Sequence, residues 1–116
     1  MGLKMPNKSK KKGNDYEREL VNFFKKRGIE SKRAWGSNGQ ALGMHEEVDV
    51  ALELIDRIYK IQAKRRKKIS EYLKPSEHVD FQILRADRED SFVVMRLEDF
   101  AKFINMEKYI DEMNGY

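Results

Sequence analysis

The chain has 116 residues, 38% of them charged and 40% hydrophobic, with a net charge of +4; that length carries one domain and one core, so any site is built on the elements that make the core. With no cysteine and only His45 and His78 as imidazoles, disulfides, thiolate zinc, a cysteine nucleophile and a histidine metal cluster are excluded, and a bound metal would take oxygen ligands, as Mg²⁺ and Mn²⁺ do. No apolar run reaches the roughly 18 residues of a membrane span, and residues 1–12 lack the apolar stretch of a secretory signal, so a cytoplasmic protein without a membrane partner is expected.

Residues 1–12 read as a disordered basic arm. Lys4, Lys8, Lys10, Lys11 and Lys12 come without an acid, and Gly2 and Pro6 interrupt any periodic pattern. A single domain is expected over 13–116. Its first helix begins at Asn14 or Asp15, carries Tyr16, Leu20, Phe23 and Phe24 at helical spacing, and stops at Gly28. A short strand is expected over 30–35, followed by a glycine-rich loop over 36–43. Two strands follow at 48–54 and 57–64, in which Val48, Val50, Leu52 and Leu54 alternate with Asp49, Ala51 and Glu53, and Tyr59, Ile61 and Ala63 alternate with Lys60, Gln62 and Lys64. A short helix at 69–73 ends before Pro75, and strands are expected at 79–84 and 92–95. From Glu98 a last helix carries Phe100, Ala101, Phe103 and Ile104, with Ile110 and Met113 further along.

The two middle strands are close enough to form a hairpin, and a two-residue turn would set their register. With Ile55-Asp56 as the turn, Asp49 faces Gln62; with Asp56-Arg57, Asp49 faces Lys64. In both cases Asp49, Gln62 and Lys64 share one sheet face. Between residues 57 and 68 the chain holds Arg57, Lys60, Lys64, Arg65, Arg66, Lys67 and Lys68 and no acid. This run and the arm together hold half of the 24 cations, which leaves the rest of the chain net negative. Clustered cations of this kind are the footprint of a polyanion partner, with Lys12, Arg65, Arg66, Lys67 and Lys68 as candidate contacts.

Hydrolysis of a phosphodiester requires charge neutralisation at the phosphate, an activated water and help for the departing oxygen. The hairpin offers a carboxylate at Asp49, and an amide and an ammonium at Gln62 and Lys64, two residues apart on the next strand. The backbone carbonyl of Ala63 is a candidate further ligand. Glu17 lies beside the Leu20, Val21 and Phe24 flank of the first helix and can face the sheet, although Asn14-x-x-Glu17 also fits a capping box.

The stretch Lys12-Gly13-Asn14-Asp15-Tyr16-Glu17-Arg18-Glu19-Leu20 resembles the opening K-G-x-x-x-E-R-E-L of archaeal Holliday-junction resolvases, members of the PD-(D/E)xK nuclease superfamily. Arg33-Ala34-Trp35-Gly36-Ser37 resembles their R-x-x-G-S strand end, Val48-Asp49 their V-D, and Ile61-Gln62-Ala63-Lys64 their E-x-K, so the likeness covers residues 12–68. The resemblance implies an α/β fold with a central mixed β-sheet of about five strands flanked by helices. It implies a homodimeric endodeoxyribonuclease that uses Mg²⁺, with Mn²⁺ as substitute, and resolves four-way DNA junctions by paired nicks. Glu17 and Asp49 would be metal ligands, Gln62 would occupy the third ligand position, and Lys64 would orient or activate water. Arg18 and Arg33 would contact phosphate, and Ser37 would sit near the scissile strand.

Two departures bear on these expectations. Gln62 stands where the family carries glutamate, which removes one negative charge; its amide oxygen still ligates Mg²⁺, so weakened metal affinity is expected rather than lost activity. The loop between Ser37 and Asp49 is several residues longer than in the family. That leaves open a structure- or sequence-specific endonuclease with another DNA substrate, while Gln62 leaves open a DNA-binding protein that has lost catalysis.

Overall fold

The computed structural model describes residues 8–34 and 44–115; the arm before Lys8 and the loop that contains Ser37 lie outside them. The first helix, α1, spans Lys8–Lys26 and so starts six residues before the expected Asn14. Residues 8–12, read from sequence as part of a disordered arm, are helical. Lysine is a good helix former, and only Gly13 weighs against the extension. Ion pairs from Asp15 to Lys11 and to Arg18 add support one turn either side. At its other end α1 closes in a Schellman motif: the Gly28 N–H donates to the Lys25 carbonyl and the Ile29 N–H to the Phe24 carbonyl, both at 3.0 Å. Gly28 takes φ 76°, a conformation that glycine adopts without steric penalty.

Strands β1 (Glu30–Arg33), β2 (Val50–Glu53) and β3 (Ile58–Ile61) form an antiparallel sheet with β2 in the middle. Val50 pairs with Ile61 and Glu53 with Ile58, and the Leu54 N–H donates to the Arg57 carbonyl at 2.9 Å. The turn is therefore Ile55-Asp56, one of the two open in the sequence, but the register ends at Val50 and Ile61 and does not continue to the expected pairing of Asp49 with Gln62, because the Asp49 N–H donates to the Ile61 carbonyl. Leu20, Val21 and Phe24 of α1 pack with Ile29, Val50 and Leu52, and Ala101 and Ile104 close the core. Phe24 is met edge-on by Phe23 and Phe100, with ring centroids 5.2 and 6.2 Å away. Ser31 is buried and donates its hydroxyl to the Val21 carbonyl at 2.9 Å. Ala51 is also buried, although simple alternation puts it on the polar side.

Strands β4 (Phe81–Arg85) and β5 (Ser91–Met95) pair only with each other. The five strands thus make two antiparallel sheets instead of the single mixed sheet expected, and no parallel pair occurs among the described residues. A parallel return to the first sheet needs a crossover, usually helical. Residues 62–80 hold the basic run and Pro75 and form only a 3-10 turn at Glu71–Leu73. The short turn between β4 and β5, with Arg88 at φ 62°, suits a hairpin.

The second helix, α2 (Leu97–Met113), turns Ala101 and Ile104 into the core. It also fastens the end of α1, since Asn105 Nδ2 donates to the Arg27 carbonyl at 3.2 Å and Lys108 Nζ to the Gly28 carbonyl at 2.6 Å. The β4–β5 hairpin touches α2 through Phe81 and Phe103, whose rings lie 5.8 Å apart. The molecule is elongated, 59 × 37 × 30 Å.

Candidate functional site

Asp49 immediately precedes β2; its carbonyl accepts from the Ala34 N–H at 2.9 Å, in step with the β1–β2 ladder, while its N–H donates to the Ile61 carbonyl at 2.8 Å, one residue out of step with the β2–β3 register, which ends at Val50 and Ile61. Its side chain then reaches to the neighbouring strand, where Oδ2 accepts from the Ala63 N–H at 2.7 Å. Regular pairing of β3 ends at Ile61, so the Ala63 amide needs another partner, and a carboxylate opposite supplies it. Asp49, Gln62 and Ala63 are brought together in this way. Gln62 and Lys64 are exposed and help line a cleft of about 450 Å³ walled by Tyr16, Leu20 and Phe24 of α1 and by Leu97 and Phe100 of α2.

Glu17 lies in the helix interior, since α1 begins at Lys8, and the capping-box reading falls. Only 8% of it is exposed. Its Oε1 accepts from Arg33 Nε at 3.1 Å, and the same guanidinium donates from its NH2 group to Asn14 Oδ1 at 3.1 Å. Asn14 and Glu17, three apart, share one face of the helix and grip the arginine together. The resemblance points to phosphate as the partner of Arg33; here the side chain is held by α1. Ser31 and Arg33 face α1, and Ala34, which follows Arg33, pairs with Asp49, so Glu17 lies at the same end of the sheet as Asp49. Asn14 escaped the sequence reading as a partner of Arg33, although its i, i+3 spacing from Glu17 was the available signal.

Oxygen donors from Asp49, Gln62 and the Ala63 carbonyl fit a hard cation such as Mg²⁺ in chemical type, with a single full negative charge among them. Among the described residues no group of three or more carboxylate or imidazole side chains is placed to hold a metal.

Next to this set the chain becomes strongly basic. Lys64, Arg65, Arg66, Lys67 and Lys68 are all exposed, and among the described residues none of them makes an ion pair. Arg66, Lys67, Lys68 and Lys74 flank an open depression of about 600 Å³. On α1, Lys12 and Arg18 are exposed, and Arg18 pairs with Asp15 at 3.5 Å. Ser37 is outside the described residues. His45 accepts from the Glu47 N–H at Nδ1, 3.0 Å away, which fixes a turn leading into Asp49.

At the far end of the hairpin a second polar group joins β3 to α2. The Tyr59 hydroxyl donates to Glu107, whose two carboxylate oxygens lie 3.0 and 2.9 Å away, and the Arg57 guanidinium lies 3.3 Å from the same carboxylate. Asp111 Oδ2 is enclosed beside them and has no hydrogen-bond partner among the described residues. Burial first, then the carboxylates of Asp56 and Glu107, push the Asp111 carboxyl above its ordinary pKa, and Arg57 opposes the shift.

Comparison with known proteins bears on this arrangement. The family model described as archaeal Holliday junction resolvase (Hjc) matches residues 8–115. No curated protein and no solved structure compared with the chain gives a match. No helix among the described residues is long and apolar enough to cross a membrane.

Proposed function

The chain belongs to the archaeal Holliday junction resolvase family, a family of nucleases that act on DNA, and from that premise we propose that it is a Mg²⁺-dependent homodimer cutting four-way junctions by two symmetric nicks. The observation that carries this reading is the clasp of Asp49 on the Ala63 amide, next to Gln62 and beside the exposed cations from Lys64 to Lys68. Asp49, Gln62 and the Ala63 carbonyl would hold the metal, with Glu17 as the ligand approaching from α1. Bound there, Mg²⁺ neutralises charge developing on the phosphate and lowers the pKa of a water. Lys64 orients that water and offsets negative charge on the phosphate. Lys12, Arg18, Arg33 and Arg65 to Lys68 hold the DNA backbone, and Ser37 is assigned beside the scissile strand on the family resemblance alone.

Two symmetric nicks call for two sites about a two-fold axis. Apolar side chains left open on the β4–β5 hairpin and on α2, among them Ile83, Phe92, Val93, Met106 and Tyr109, support assembly of two copies through that surface.

Asp49→Asn and Lys64→Ala are expected to lower the rate of cutting of a synthetic four-way junction by about a hundredfold or more, with junction binding in an anisotropy titration largely retained. Normal cutting by either variant would falsify the site. Linear duplex of equal length cut as fast as the junction would remove junction specificity and favour a broader DNA endonuclease. Gln62 itself favours a second reading, a DNA-binding protein with a degenerate site. A large gain from near-zero activity in Gln62→Glu would support that reading, whereas a modest change supports a working nuclease.

A further inference from the structure

We infer that Tyr72, raised on the turn that follows the basic run, stacks on a nucleobase left open at the branch point of the bound DNA and so contributes a preference for branched over linear substrate. The inference rests on the junction-nuclease reading for the identity of the DNA and extends it to a residue outside the cutting site.

Tyr72 is 75% exposed, the most exposed large apolar or aromatic side chain among the described residues. Its backbone, in contrast, is fastened on every side. The Tyr72 N–H donates to Ser70 Oγ at 3.3 Å, and the Leu73 and Lys74 N–H groups close the 3-10 turn on the Ser70 and Glu71 carbonyls at 3.0 and 3.1 Å. The Tyr72 carbonyl accepts from Gln82 Nε2 of β4 at 2.6 Å. Just beyond the turn, Arg96 donates to the carbonyls of Pro75, Ser76 and Val79 and ties that stretch to the start of α2. The ring is therefore presented by a braced turn, and a contact made by a braced side chain loses little freedom on binding.

The charges around the ring select what covers it. Residues 64–74 hold Lys64, Arg65, Arg66, Lys67, Lys68 and Lys74 against a single acid, Glu71, and Lys74 Nζ lies 2.9 Å from that carboxylate. Lys64 to Lys68 make no ion pair among the described residues. Such a segment attracts a polyanion, and an aromatic ring among cations is the arrangement that holds a phosphate backbone while stacking on a base. Within an uninterrupted duplex each base pair is covered on both faces. Where strands exchange between arms, the last pair of an arm can present an open face, so a protruding ring finds a partner there and not along linear DNA. Every base has such a face, and the contact reads structure without reading sequence. Tyr72 follows Lys64 by eight residues, which sets their Cα atoms no more than about 29 Å apart; at about 3.4 Å per base step, a branch point within roughly eight steps of the cut is in reach.

The test is an anisotropy titration of a four-way junction and of linear duplex with the full chain in EDTA. Tyr72→Ala is expected to weaken junction binding about five- to a hundredfold, the range for loss of one base–aromatic stack, with duplex binding unchanged. Tyr72→Trp is expected to restore junction binding and Tyr72→Leu to fail. A fluorescent aminopurine moved through the branch-point positions then locates the contact: at one or two positions wild-type protein quenches it more than Tyr72→Ala does. Unchanged junction binding in Tyr72→Ala overturns the inference, as does an equal loss on junction and duplex. Full rescue by leucine, or a dimer lost in Tyr72→Ala by sedimentation without DNA, also overturns it and assigns the ring to a protein contact. All of these readings are made without cleavage, whereas failure of the nuclease reading shows separately as normal cutting by Asp49→Asn.

Discussion

The half of the molecule that carries the site and the half that follows it deal with apolar surface in opposite ways. In α1 and β1 to β3 the large apolar side chains apart from Ile58 are buried or half-buried around one core, and the polar groups among them have partners: Ser31 on Val21, Arg33 on Glu17 and Asn14, Asp49 on Ala63. In the β4–β5 hairpin and along the outer side of α2, Ile83 is 69% exposed, Phe92 65% and Met113 69%. The first half is a finished platform that carries the residues proposed to hold the metal and phosphate. The second presents a surface suited to a partner, which is the division of labour that two sites on a two-fold axis require.

One substitution in each half puts this contrast at risk. Phe24→Ala empties a fully enclosed position at the centre of the platform and is expected to cost about 3–5 kcal/mol, a fall in melting temperature on the order of 10–20 °C for a domain of this size. Phe92→Ala removes the same side chain from an exposed strand and is expected to cost under about 1 kcal/mol in the monomer. Thermal melts at low protein concentration compare the two directly; equal losses would mean that the hairpin is as tightly bound into the fold as α1.

The double change Ile83→Asp and Val93→Asp sharpens the contrast from the other side. These residues pair across β4 and β5 on one face, so the pair of charges is placed where two copies would meet. Sedimentation is expected to show loss of the dimer, with the platform's melting behaviour little changed in the monomeric state. A dimer that survives both charges places the interface on other residues and leaves the exposed hairpin without that role.

The platform was more legible in the sequence than the rest, and for a physical reason. Two-residue alternation and a two-residue turn restrict a hairpin to very few registers, and the one observed, with Ile55-Asp56 as the turn, was among the two that arithmetic allowed, although it ends at Val50 and does not reach Asp49. The start of α1 was not legible, because a run of lysines reads as a charged coil although each lysine is a good helix former. The sheet order was missed as well: β4 and β5 have the apolar content of buried strands, and nothing in their local pattern tells that they pair with each other alone. The Arg33 grip by Asn14 and Glu17 depends on two elements meeting in space and lies beyond any single-segment reading.

The smallest effect expected concerns the seam where the two halves meet. Asp111, near the end of α2, is enclosed beside Asp56 of the hairpin turn and Glu107, and its carboxyl pKa is raised, by burial first and then by those two carboxylates. The folded state therefore holds this proton more tightly than the unfolded chain does. Its stabilising contribution is complete below the ordinary carboxylate range and is lost as pH rises through the raised value, so at neutral pH the ionised side chain works against the fold. Asp111→Asn keeps the shape and removes the charge. Its melting temperature is expected to exceed that of the wild type at neutral pH, and the gain should vanish as pH falls below the ordinary carboxylate range. A gain that persists at acid pH would point to a new hydrogen bond from the amide, and no gain at neutral pH would show that Arg57 already balances the carboxylates. Either result would revise the seam from a strained junction between platform and helix to a settled one.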